Sequence, residues 1–232
     1  ALIGLGGFVA GVCAAMFFVQ KGFTLGKQEA VRKPDGFVFP ILGVLLLVAL
    51  LFFPAVLNFS EQGFASFRAP VALSLIGGMA VGGLAFISRF CSVAPVRDSI
   101  FMKSFGALSV VGGFMVVLIG YNIIFGHFEL GMEATSFSHT NWLWNFLSLG
   151  LVGFTAVLAG GCPLRQLVHV GTGNTDAAVT VLGMMTGTAL VHNFGLASSS
   201  AGPSDAAWAA FIIATAAVLV IAVSYTFKKK GA

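Results

Sequence analysis

The sequence predicts an all-α, polytopic membrane helix bundle with about seven spanning helices, two re-entrant half-helices between them, and a pseudo-repeat. Three observations point there. Hydrophobic residues make up 58% of the 232-residue chain and charged residues only 9%, against about 25% charged residues in a soluble domain. Mean hydropathy is +0.99, so the surface must face lipid, and no polar stretch is long enough to build a soluble catalytic domain. The apolar runs approach the ~20 residues that a helix needs to cross hydrocarbon. They also carry many of the 30 glycines and 24 phenylalanines, which permit close helix contacts in lipid and fill the space between helices and acyl chains.

The first span covers roughly 1–20. It begins without a charged n-region, which argues against a secretory signal peptide. The Ala1 start reads as the interior of a longer chain, whose N-terminal half is either absent from this sequence or removed by processing, with 1–232 as a single transmembrane domain. Further spans fall at roughly 37–57, 69–89, 104–126, 140–160, 174–196 and 205–227. Two shorter pieces, 92–103 and 163–172, are too short to cross and too apolar for ordinary loops. They read as re-entrant half-helices, which survive at membrane depth only where protein or a wet cavity surrounds them.

Basic residues orient the chain. Lys21, Lys27, Arg32, Lys33, Arg89, Arg97, Lys103, Arg165 and Lys228–Lys230 fall on one side of an N-out, C-in arrangement, and only Arg68 falls on the other. The opposite loops carry Glu61, Glu129, Glu133 and Asp205, and Trp142, Trp144 and Trp208 begin spans on that outer side as interface anchors do. The net charge of +4 therefore reports topology more than partners, and nothing calls for a nucleic acid.

An internal repeat relates 69–126 to 140–196. Val81-Gly82-Gly83-Leu84-Ala85 leads into Cys91 and Arg97, and Val152-Gly153-Phe154-Thr155-Ala156 leads into Cys162 and Arg165. A glycine-bearing apolar helix follows each. Small-xxx-small spacings recur at Gly7/Gly11, Gly78/Gly82 and Gly183/Gly187. Transporters often place substrate at interrupted helices related by such a repeat.

The chemistry gathers at the two breaks. Gly160 and Gly161 let the backbone turn before Cys162, and Pro163 suits a first helical position because its missing N–H would be unpaired there. Cys162 would then stand at a half-helix N-terminus, where free N–H groups attract anions and favour thiolate. The ordinary alternative is a small buried hydrophobe. Cys91 has the same setting with less glycine, whereas Cys13 in Gly-Val-Cys-Ala-Ala reads as structural. Arg97 with Asp98 forms either a path charge or an interfacial pair, and Arg165 with Gln166 lines a path or anchors a loop. Gly171 to Asp176 reads as a turn followed by a helix capped by Asn174 or Thr175, with Asp176 in its first turn. His192-Asn193 holds loop backbone or guides anions. The histidines and cysteines lack zinc-ligand spacing, the three cysteines are too few for a disulfide framework, the Walker pattern is absent, and no cofactor, metal or catalytic grouping is expected.

These motifs resemble those of the YeeE/YedE family of membrane proteins that move sulfur-containing anions, most closely its YedE-type branch linked to selenium metabolism. The resemblance rests on Gly160 to Gln166, Gly171 to Val179, His192 to Ser199, Ser88-Arg89-Phe90-Cys91 and Val96-Arg97-Asp98, and runs from about residue 20 onward. It implies a compact bundle in which Cys91 and Cys162, but not Cys13, line the path and contact the anion's terminal sulfur. The substrate path is then Cys91, Cys162, Arg97, Arg165, Gln166, Gly160 and Gly161. The partners are a small sulfur or selenium anion, the bilayer and a cytosolic sulfur/selenium carrier protein, and the location is a bacterial inner membrane. Members of this branch also carry an N-terminal half with its own cysteine motifs, which this sequence lacks. A membrane thiol-relay enzyme and a structural subunit of a membrane complex remain as alternatives to transport.

Overall fold

A computed structural model of the chain describes residues 2–23, 25, 35–53, 69–126, 128, 139–198 and 202–227. Its regular elements are helices. They are α1 (Leu2–Gln20), α2 (Val38–Phe52, entered through a 3-10 turn at Asp35–Phe37), α3 (Val71–Ser88), α4 (Ala94–Phe101), α5 (Gly106–Ile124), α6 (Trp142–Leu158), α7 (Pro163–Gly171), α8 (Thr175–Asn193) and α9 (Asp205–Phe227). The chain is a polytopic bundle. Five stretches are long and apolar enough to cross a membrane: Leu2–Gln20, Val71–Ser88, Gly106–Ile124, Trp142–Gly171, which holds α6 and α7, and Asp205–Thr226.

Two of the seven expected spans fall short of that mark, for different reasons. The apolar α2 has only 15 residues, and residues 54–57, the rest of its expected span, lie outside the described residues. α8 is 19 residues long but polar: Asp176, His192, Asn193 and four threonines dilute its hydropathy. Three of those threonines turn their hydroxyls back on the helix. Thr180, Thr186 and Thr188 donate to the carbonyls of Asp176, Leu182 and Met184 at 2.8–2.9 Å, which satisfies the hydroxyls without a neighbour. Much of the charge asymmetry expected to orient the chain (Lys27, Arg32, Lys33, Glu61, Arg68, Glu129, Glu133 and Lys228–Lys230) lies outside the described residues, as does Ser199 of the resembling stretch.

The chain forms two compact units. One comprises Ala1–Lys27, Phe90–Pro163 and Leu182–Ala232; the other comprises Gln28–Arg89 and Leu164–Val181. The chain changes unit four times, at Lys27/Gln28, Arg89/Phe90, Pro163/Leu164 and Val181/Leu182, and the second and third changes fall beside Cys91 and Cys162.

The first unit is built on the crossing of α1 and α6. Its contact is backbone on backbone. A Cβ added at Gly7 would strike the Phe146 carbonyl, one at Gly11 the Gly150 carbonyl, and one at Gly153 the Phe8 carbonyl. Glycines at i and i+4 on α1 thus do what small-xxx-small spacing allows, bringing two helix axes within backbone reach. α9 closes this core, with Ala15, Phe23, Phe154 and Ala222 at its centre and Phe18 edge-on to Phe154 at 5.8 Å. At the other end Trp144 packs on Trp208 at 4.8 Å and on Phe211 at 5.6 Å. Trp144 is therefore a core aromatic rather than the interface anchor expected of it, while Trp142, two residues earlier and on another face of α6, is 63% exposed. Asn141 caps α6 by accepting from the Trp144 N–H at 3.0 Å, and Ser204 caps α9 through the Ala207 N–H at 3.1 Å. The short α4 packs against α1 and α5, and Phe90 meets Phe114 of α5 at 6.1 Å. α5 otherwise buries none of its apolar window, as suits a helix that meets lipid.

In the second unit α3 and the length of α7 flank an apolar groove lined by Gly78, Val81, Gly82, Phe86, Leu164, Leu167, Val168, Gly171 and Thr172. Gly36 approaches Gly173 closely, a Cβ on either lying 3.1 Å from the other's carbonyl oxygen.

Candidate functional site

Both breaks in the helical pattern are made by tight helix ends followed by a short helix. α6 stops in a Schellman turn. The Gly160 N–H donates to Val157 O at 3.0 Å and the Gly161 N–H to Ala156 O at 2.9 Å. Gly160 takes φ +82°, a left-handed conformation that costs a residue with a Cβ about 1–2 kcal/mol. This turn delivers Cys162 directly ahead of Pro163, the first residue of α7, as the sequence led one to expect. α3 ends with Arg89 itself in the left-handed region, φ 53°. Cys91 follows two residues later, and Pro95 lies in the first turn of α4.

Cys91 and Cys162 meet inside the first unit. They are 5% and 2% exposed, and both are free thiols. The Cys162 thiol donates to the Cys91 sulfur, and the backbone N–H groups of Cys162, Val93 and Ala94 point at the same atom. The Cys162 thiol above all, with those three N–H groups behind it, holds the Cys91 thiol below the ordinary thiol range, against burial, which pushes the other way. The N–H groups of Val93 and Ala94 are available because they open α4, where no preceding turn can accept from them. A sulfur ringed by donors is stabilised in its negative form.

The remaining sequence-derived residues are placed as follows. Arg97, on α4, pairs through Nε with Asp98 Oδ1 at 2.7 Å, the interfacial-pair arrangement. Gly161 is buried and Gly160 exposed beside Cys162. In the second unit Arg165 Nε donates to His169 Nε2 at 3.2 Å along α7, and Gln166 is buried at 7% exposure. Cys13 lies partly exposed on α1 and is not among the groups that act on the Cys91 thiol. Asn174 caps α8 by accepting from the Ala177 N–H at 2.9 Å, with Asp176 in the first turn. Asn193 donates back to Ala189 O at 2.8 Å within its own helix. Among the described residues no group of three or more His, Cys, Asp and Glu side chains could hold a metal ion.

Sequence reasoning missed Val93 and Ala94, whose contribution is backbone. The signal was present in Pro95: a proline in a first turn marks where a helix begins and so which N–H groups precede it unpaired. It also missed His169 as the acceptor for Arg165, although the i, i+4 spacing places the two on one helix face.

Residues 87–227, well over half of the chain, match a family model described as sulphur transport. Both cysteines of the buried pair lie inside the matched stretch and Cys13 lies outside it. No curated protein and no solved structure matches the chain.

Proposed function

The chain belongs to the sulphur transport family, and from that premise we propose that it is a permease for a small sulfur- or selenium-bearing anion, thiosulfate-like in shape and charge, passed along Cys91 and Cys162. The observation that carries this reading is the donor-ringed sulfur pair. A terminal sulfur of an incoming anion has the size and softness of a thiolate. The groups that stabilise Cys91 as an anion, the Cys162 thiol and the N–H groups of Cys162, Val93 and Ala94, are those that would hold such a sulfur. Thiol donors are weak, and weak serial contacts suit conduction because tight binding traps the substrate.

Gly160 and Gly161 present Cys162 in this scheme, and Arg97, Arg165 and Gln166 supply positive charge and hydrogen bonds along the route. α4 and α7, of eight and nine residues, are about 12–14 Å long. A hydrocarbon core is ~30 Å thick, so each serves as a re-entrant half-helix. The membrane is a bacterial inner membrane, with the N-terminal end of this segment outside and the C-terminal end in the cytosol, where a sulfur or selenium carrier protein receives the cargo.

The depressed Cys91 thiol also favours a second reading, a membrane thiol relay in which that sulfur attacks the substrate and keeps a sulfur atom as a persulfide. Reconstituted vesicles separate the two. A permease accumulates radiolabelled thiosulfate intact in the lumen, and competition by selenite or selenosulfate ranks the substrates. Release of sulfite with label left on the protein, and none in the lumen, would overturn transport in favour of the relay.

A further inference from the structure

Two buried free thiols in hydrogen-bond contact are an unusual pairing. The one sulfur is held toward its anionic form by backbone N–H groups, and the other points its proton at it. Cys162 follows two glycines, the first at φ +82°, in the Schellman turn that ends α6. Both sulfurs are buried, at 5% and 2% exposure, which favours a small oxidant. Cys13, the remaining thiol, sits mid-helix on α1 and shares in none of this.

We propose that Cys91 and Cys162 are a reversible modification site, at which a hydroperoxide closes an internal disulfide and removes both sulfurs from the anion path. The role of the disulfide as an off state rests on the transport reading above; its formation does not. The Cys91 thiolate attacks the peroxide, the O–O bond breaks, and Cys91 becomes a sulfenic acid as the other oxygen leaves as hydroxide and is protonated to water. The Cys162 sulfur then attacks the sulfenic sulfur. The S–S bond forms, and the Cys162 proton leaves with the sulfenic hydroxyl as a second water. The thiol pair has lost two electrons and the peroxide has gained them. A dithiol reductant reverses the step by exchange. Having the resolving thiol in contact also diverts the sulfenic acid from irreversible oxidation.

The test uses the whole chain in liposomes, treated with hydrogen peroxide, then denatured and labelled with a maleimide. The parent is expected to lose two of its three labelled thiols, with an intact mass lighter by two hydrogens, no covalent dimer, and full recovery with dithiothreitol. Cys13→Ala should lose both of its thiols. Cys91→Ala and Cys162→Ala should form no internal link, and the serine variants replace them where alanine impairs folding. Retention of all three thiols, a gain of oxygen atoms in place of the loss of hydrogens, or a link through Cys13 overturns the proposal. Thiosulfate uptake by the same vesicles should fall on oxidation and return on reduction; unchanged uptake through fully linked protein overturns the off state. If the reduced protein carries no sulfur anion at all, the transport reading falls, and the thiol count still decides the disulfide.

Discussion

Cys91 receives hydrogen bonds from one thiol and three backbone N–H groups, and that arrangement sets its chemistry. An acid whose ionised form is favoured keeps its charge to lower pH. Alkylation of Cys91 by a small neutral reagent should therefore persist below the ordinary thiol pKa of about 8.5. Removing the leading donor, as in Cys162→Ala, should move the inflection of the alkylation rate upward toward that value. An unmoved inflection would show that the Cys162 thiol does not act on Cys91. The sequence singled out Cys91 and Cys162 through the glycine and proline around them, because those residues announce turns and helix starts. It could not show that the two sulfurs touch, since 70 residues and three helices separate them and their meeting depends on how α4 and α6 pack against α1. Nor could it show that Arg97 turns to Asp98 and Arg165 to His169, because a charge's partner is chosen by rotamers and not by spacing alone.

At the scale of elements, the fold turns on glycine used in two ways. On α1, Gly7 and Gly11 admit the carbonyls of α6. Gly11→Ala should cost about 1–3 kcal/mol, as overpacking does, and lower the unfolding temperature in detergent. Gly82→Ala meets nothing within 4 Å among the described residues and should unfold with the parent. Equal stability of the two variants would rule out the tight crossing. The three small-xxx-small pairs look alike in sequence, yet among the described residues only Gly7/Gly11 sits in a close crossing. The spacing says that a helix can be approached, not which helix approaches it. At Gly160 the requirement is instead φ. Gly160→Ala should cost about 1–2 kcal/mol and shift Cys162, so uptake should fall more than stability does. Helix existence was legible almost everywhere, because apolar length and caps such as Asn174 are local signals. The shortness of α2 and the polarity of α8 blurred the span count.

Across the whole molecule, two of the four passages of the chain between its compact units fall beside Cys91 and Cys162, an arrangement invisible to hydropathy because it depends on long-range contacts. Topology remains open to direct measurement. Compartment-specific reporters at the C-terminus and in the 127–138 loop should report opposite sides, and finding both on one side would sink the N-out, C-in arrangement. The account's central claim is that the buried sulfur pair carries the anion, and uptake of radiolabelled thiosulfate by vesicles bearing cysteine variants tests it most directly. Cys162→Ser keeps the size but exchanges a soft donor for a harder, more hydrated one. It should lose about tenfold or more of the parent's uptake, equivalent to at least ~1.4 kcal/mol, at equal protein level, while Cys13→Ala stays within about twofold, or ~0.4 kcal/mol. Parent-like uptake by Cys162→Ser together with loss of uptake in a well-expressed Cys13→Ala would contradict the claim and send the path elsewhere.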